Sequence, residues 1–135
     1  MNKRILIVDD EKEICESIES FLEIEKIPCL SAYDYNEACF KCDNEAFSCI
    51  VLDYKIGKKT AADFIQRIRN PNNLNARTPI ILISGHLTKD MLRQIASEVS
   101  SALMKPFNVA KLVELIIQKK ASPLKSKEEA SLNSR

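Results

Sequence analysis

Three carboxylates, a hydroxyl and a lysine stand at the ends of apolar runs in this 135-residue chain. Ile5-Leu6-Ile7-Val8 runs into Asp9 and Asp10, Cys49-Ile50-Val51-Leu52 into Asp53, Ile80-Ile81-Leu82-Ile83 into Ser84, and Ser101-Ala102-Leu103-Met104 into Lys105-Pro106-Phe107. Brought together, Asp9, Asp10 and Asp53 would repel strongly, because like charges at short range in a partly buried site cannot all stay ionised without compensation. A cation is required. Lys105 supplies one charge, and Mg²⁺ suits the rest, since it binds through one or two carboxylates with waters and phosphate oxygens rather than in a closed protein cage. Ser84 adds a hydroxyl donor. An acidic nucleophile, a metal, a lysine and a hydroxyl in one pocket are the parts needed to accept and stabilise a phosphoryl group. Each part alone has a plainer reading: Asp9-Asp10 as a helix cap, Ser84 and Lys105-Pro106 as turns. Their joint placement at four strand ends favours the chemical one.

Short, partly β-branched apolar runs of this kind read as strands buried on both faces of a parallel sheet. The carboxyl ends of such strands form the edge where ligands bind. Between the strands lie helical patterns: Ile14, Ile18, Phe21 and Leu22 recur at three- and four-residue spacing, Asp34 with Glu37 has the form of a capping box, and Phe64, Ile65 and Ile68 follow the polar stretch 54–60. Pro28 precedes a second strand at 28–33, the weakest apolar run and so a candidate edge. A helix is expected over 88–99, a short fifth strand over 101–104, and a last helix over 108–120 burying Val109, Leu112, Leu115 and Ile116. Strand and helix alternate five times, and right-handed crossovers then require a doubly wound, five-stranded parallel α/β sheet with helices on both faces.

The length suits one domain, expected over 1–120. Residues 121–135, rich in Ser, Lys and Glu, read as a disordered tail or linker. A charge of +1 with 45% hydrophobic and 29% charged residues gives no electrostatic reason to expect nucleic acid as a partner. No apolar stretch approaches the roughly 20 residues that cross a bilayer, and the first strand begins too close to Met1 for a signal peptide, so a cytoplasmic location is expected. The five cysteines lie between residues 15 and 49 and include one C-x-x-C, Cys39 and Cys42. With no second pair and the single histidine far away at His86, they read as small buried apolar residues in a reducing compartment rather than as a zinc site.

With these motifs in this order, residues 3 to about 120 resemble a response-regulator receiver domain of two-component signalling, a flavodoxin-like fold. The resemblance implies that Asp53 accepts a phosphoryl group from a phosphohistidine on a histidine kinase or histidine phosphotransfer protein. It implies that Asp10, Asp53 and the backbone carbonyl of Lys55 hold Mg²⁺, with Asp9 acting mainly through bound water. Ser84 and Lys105 would each meet a phosphoryl oxygen, and the Lys105-Pro106 peptide would be cis. Lys55 and His86 would flank the path of the hydrolytic water. A downstream effector, or a second copy in a homodimer, would use the fourth helix, fifth strand and fifth helix.

The chain departs from the family pattern. Ala102 stands three residues before the lysine, where the family usually has a Tyr or Phe, so the usual aromatic relay is missing. The loop after Asp53 has Gly57 and Ala61 in place of the usual proline and glycine. Two alternatives follow: a receiver-fold interaction module that works without phosphorylation, or the receiver portion of a longer multidomain regulator or hybrid kinase. A Mg²⁺-dependent phosphatase of the haloacid-dehalogenase type is disfavoured, because Asp53-Tyr54-Lys55 lacks that family's D-x-D. A module that assists its own phosphorylation, rather than a turnover enzyme, is expected.

Overall fold

The computed structural model of the chain describes residues 3–121. The elements run β1 (Ile5–Val8), α1 (Lys12–Ile24), β2 (Cys29–Ala32), α2 (Tyr35–Asn44), β3 (Cys49–Asp53), β4 (Lys55–Ile56), β5 (Lys59–Thr60), α3 (Ala61–Ile68), β6 (Ile80–Ser84), α4 (Lys89–Ile95), β7 (Ser101–Met104) and α5 (Val109–Ala121). Five strands form one sheet in the order β2-β1-β3-β6-β7, every pair parallel.

The three inner strands β1, β3 and β6 are buried at every position, as an apolar run covered on both faces must be. Side chains alternate between the faces. Leu6, Val8, Ile50, Leu52 and Leu82 pack against α2, α3 and α4 through Ala38, Cys42, Phe64, Ile68 and Ile95. Ile5, Ile7, Val51, Ile81 and Ile83 pack against α1 and α5 through Cys15, Ile18, Leu22, Leu112, Val113 and Ile116. The edges are β2, as expected from its weak pattern, and β7, where Ala102 and Met104 point outward and stay exposed. No helix among the described residues is long and apolar enough to cross a membrane.

Several local readings need correction. The stretch after Asp53 is a small antiparallel hairpin, β4 against β5, and not an irregular loop. Gly57 has φ +61 at its first turn position, the pattern of a type II′ turn. Asp34 does accept from the Glu37 amide at 2.7 Å, but the Glu37 carboxylate turns to the Tyr33 amide instead of the Asp34 amide, so the box is only half made. The complete box belongs to Thr60 and Asp63 at the start of α3. The helix expected over 88–99 stops at Ile95. Beyond it, Arg69 holds Glu98 by both its carboxylate and its backbone carbonyl. Ala121 ends α5, and the tail reading over 122–135 lies outside the described residues. The cysteines are free thiols, four of them buried, and burial pushes Cys15, Cys42 and Cys49 up to about 12, which makes them packing groups rather than nucleophiles.

Candidate functional site

Each chemical side chain stands on the last residue of a strand (Asp53, Ser84) or on the one just after it (Asp9, Lys105), where the ladder continues by a single backbone bond. The Asp9 amide donates to Ala32 O at 3.1 Å, the Tyr54 amide to Ile83 O at 2.9 Å, and the Lys105 amide to Ser84 O at 2.7 Å. Asp9, Asp53, Ser84 and Lys105 therefore emerge at the same edge of the sheet. That edge lies where the strand order reverses between β1 and β3, the point at which open α/β sheets bind ligands. A cleft of about 640 Å³ opens there, lined by Asp10, Asp53, Lys55, Ser84, His86 and Lys105 among others. Asp53 forms its floor at 6% exposure, and Asp9 is wholly buried beneath.

Lys105 holds this edge together. Its Nζ lies 2.9 Å from Asp9 Oδ2, 2.8 Å from Glu11 Oε1 and 3.3 Å from Asp53 Oδ2. Asp9 Oδ1 accepts from the Glu11 amide at 2.8 Å, whereas Oδ2 makes no hydrogen bond. Since the lysine is close to Oδ2, the contact is an ion pair with poor hydrogen-bond alignment, and a buried carboxylate oxygen is left short of a partner. Burial, then the neighbouring Asp9 charge, pushes Asp53 up to about 6, with Lys105 pulling the other way. Burial opposes the charge on Lys105, but the hydrogen bond to Glu11, the close ion pair with Asp9 and the charge of Asp53 outweigh it and raise its pKa.

Asp9, Asp10, Glu11 and Asp53 each offer an oxygen, and these oxygens lie within 4.8 Å of one another. A hard divalent cation fits such a donor set, and the buried Asp9 Oδ2, which has the Lys105 charge beside it but no hydrogen bond, gives it a reason to be there. Ser84 is at the cleft, but its hydroxyl donates to His86 O at 2.8 Å and accepts from the His86 amide at 3.1 Å, so it must turn to meet anything bound at Asp53. Glu11 is the site residue that sequence reasoning passed over. Its signal is present as the third acid of Asp9-Asp10-Glu11, but the position is also the N-cap of α1, where an acidic residue has an ordinary structural reading.

Comparison with known proteins decides the kinship: residues 5–117 match the response regulator receiver domain. The chain belongs to that family. It is 28% identical over 114 residues to the regulatory protein VanR of Enterococcus faecium, covering 84% of this chain and 48% of that protein. To the transcriptional regulatory protein CpxR of Escherichia coli it is 29% identical over 117 residues, covering 86% and 48%. The chain thus spans about half the length of the curated relatives it matches. Among solved structures, the CheY-like response regulator receiver domain protein from Methanospirillum hungatei superposes with a TM-score of 0.83 at 25% identity, covering 96% of this chain and 99% of that one. Domains of this family act as phosphorylation switches in two-component signalling.

Set against the receiver pattern, the Lys105-Pro106 peptide is cis, as the resemblance implies. Ala102 is exposed on β7. A Cβ at Gly85 would meet no atom within 4 Å, so the fold does not demand glycine there, and any demand comes from what enters the cleft.

Proposed function

We propose that this receiver domain is a signalling switch in which Asp53 accepts a phosphoryl group from a phosphohistidine of a histidine kinase or phosphotransfer protein. The observation that carries the reading is the Asp53 carboxylate on the floor of an open cleft, with the Lys105 ammonium 3.3 Å away. In the transfer, an Asp53 oxygen forms a bond to phosphorus while the phosphorus–nitrogen bond of the donor breaks, and the leaving imidazole takes up a proton. Lys105 pairs with one phosphoryl oxygen, and the Ser84 hydroxyl turns from His86 to donate to another. Asp10, Asp53 and the Lys55 carbonyl would hold Mg²⁺, with Asp9 acting through water. When bound, the ion neutralises charge on the phosphoryl oxygens. The protein assists its own phosphorylation and does not turn over substrate. Residues 1–120 form the switch, and the face of α4, β7 and α5 meets the downstream effector or a second copy.

The test is incubation with Mg²⁺ and acetyl phosphate, followed by intact mass. Wild type should gain one phosphoryl group and Asp53→Ala none. Unlabelled wild type would leave the alternative, an interaction module that works without phosphorylation, a reading that the missing aromatic at Ala102 already invites.

A further inference from the structure

Lys105 is shared among three carboxylates, and one of them, Glu11, is neither buried nor at a strand end. Its contact to the Lys105 Nζ is 2.8 Å, against 3.3 Å for Asp53. The Glu11 side chain is 60% exposed and that of Lys105 14%, so the lysine is the sheltered partner and Glu11 the solvent end of the pair. Glu11 sits at the N-cap of α1, yet its side chain makes no capping bond. A carboxylate at that position ordinarily bonds the free amides of the first turn. Here it reaches across the sheet edge to a residue 94 positions away. Glu11 and Lys105 also form a shared wall between the Asp53 cleft and a second groove lined by Ile14, Ile18, Phe107 and Val109.

We propose that Glu11 is a positioning residue that holds Lys105 in a resting place and surrenders it to the phosphoryl group once Asp53 is modified. The proposal rests on Asp53 being the phosphoacceptor. Phosphoryl transfer turns a singly charged carboxylate into an acyl phosphate dianion, a mixed anhydride, so the local negative charge rises by one beside a lysine already in contact. The denser charge wins the ammonium, and Glu11 is released to water at little cost because it is already more than half solvated. Glu11 therefore stabilises the unmodified state only, and by doing so slows the forward step.

The test uses the full chain at saturating Mg²⁺ with acetyl phosphate as donor. Label on Asp53 is followed by intact mass, as is its loss once the donor is removed. Glu11→Ala should speed labelling about two- to fivefold, the range of a partly exposed charged contact, with Glu11→Gln in between. Both should change the rate of loss by less than they change labelling. In a Lys105→Ala background the same substitutions should no longer alter labelling. Slower or unchanged labelling in Glu11→Ala, or an equal effect in both backgrounds, overturns the proposal, the last marking Glu11 as a metal ligand or a merely structural charge. Should Lys105→Ala take no label, the same cycle is read on the unfolding free energy of the unmodified chain, where additive losses overturn it. If wild type itself takes no label, the phosphoacceptor reading fails, an outcome distinct from these.

Discussion

The Asp53 carboxylate is held in conflict with its surroundings, and that conflict has a measurable sign. In the unfolded chain the group releases its proton near 3.8, in the folded one at about 6. Between those values the folded state keeps a proton that the unfolded state has lost, so stability falls as pH rises through the window and stays low above it. Replacing the charge by an amide of the same shape removes the penalty. In chelator-treated protein, Asp53→Asn should therefore be more stable than wild type at pH 7 and equal to it at pH 3.5. The gap between 3.8 and about 6, at roughly 1.4 kcal/mol per pH unit, sets a ceiling of about 3 kcal/mol. The pull of Lys105 on the carboxylate is already contained in that ceiling. Urea denaturation at the two pH values checks this, and an equal gain at both would mean that packing and not charge is responsible. The strain was legible in the sequence, because three carboxylates at converging strand ends cannot coexist freely. The part played by Glu11 was not, because a contact spanning 94 positions leaves no local periodicity to read.

At the scale of the elements, the end of α1 carries a local cost of its own. Lys26 adopts φ 60, while its amide bonds Glu23 O at 3.0 Å and the Ile27 amide bonds Leu22 O at 2.9 Å. This is the paired-bond ending in which the residue after the helix is left-handed, a conformation that crowds any Cβ and that glycine accepts freely. Lys26→Gly should raise stability by about 0.5–1 kcal/mol, the relief of backbone crowding less the extra freedom glycine gives the unfolded chain. The denaturation midpoint should move up with an unchanged slope, and a lower midpoint would show that the Lys26 side chain contributes something the backbone argument omits. The same scale shows what a sequence can and cannot disclose. The runs at 5–8, 49–53 and 80–84 were readable because strands buried on both faces are apolar throughout. Strands β4 and β5, two residues each, are too short for any alternation to appear, and Gly57 was their only mark. The early stop of α4 was hidden as well, since Ala96 and Glu98 are good helix formers and it is Arg69, from another element, that claims Glu98.

Across the whole molecule, the sheet gathers Asp9, Asp10, Glu11 and Asp53 at one edge around the ammonium of Lys105. The folded state concentrates this charge and the unfolded chain disperses it, so a divalent cation at that edge binds the folded form selectively. Any ligand of that kind raises stability by an amount set by its concentration relative to its dissociation constant, about 2.7 kcal/mol at a hundredfold excess. Mg²⁺ should therefore lift the thermal midpoint of the wild-type chain by several degrees, and the shift should keep growing with the logarithm of concentration beyond half-saturation. Sodium chloride at matched ionic strength should not reproduce it, because screening acts weakly on the buried Asp9 and Asp53 and a monovalent ion is not held by a cluster of carboxylates as a divalent one is. Asp10 is the informative position: it is exposed and its side chain makes no hydrogen bond among the described residues, so Asp10→Ala should leave the metal-free midpoint unchanged or slightly raised, one charge of the repelling edge being gone. The same variant should lose most of the Mg²⁺-dependent rise. A rise that survives in Asp10→Ala, or one matched by sodium, would place the stabilisation in general screening of the acidic edge rather than in an ion held at the cleft.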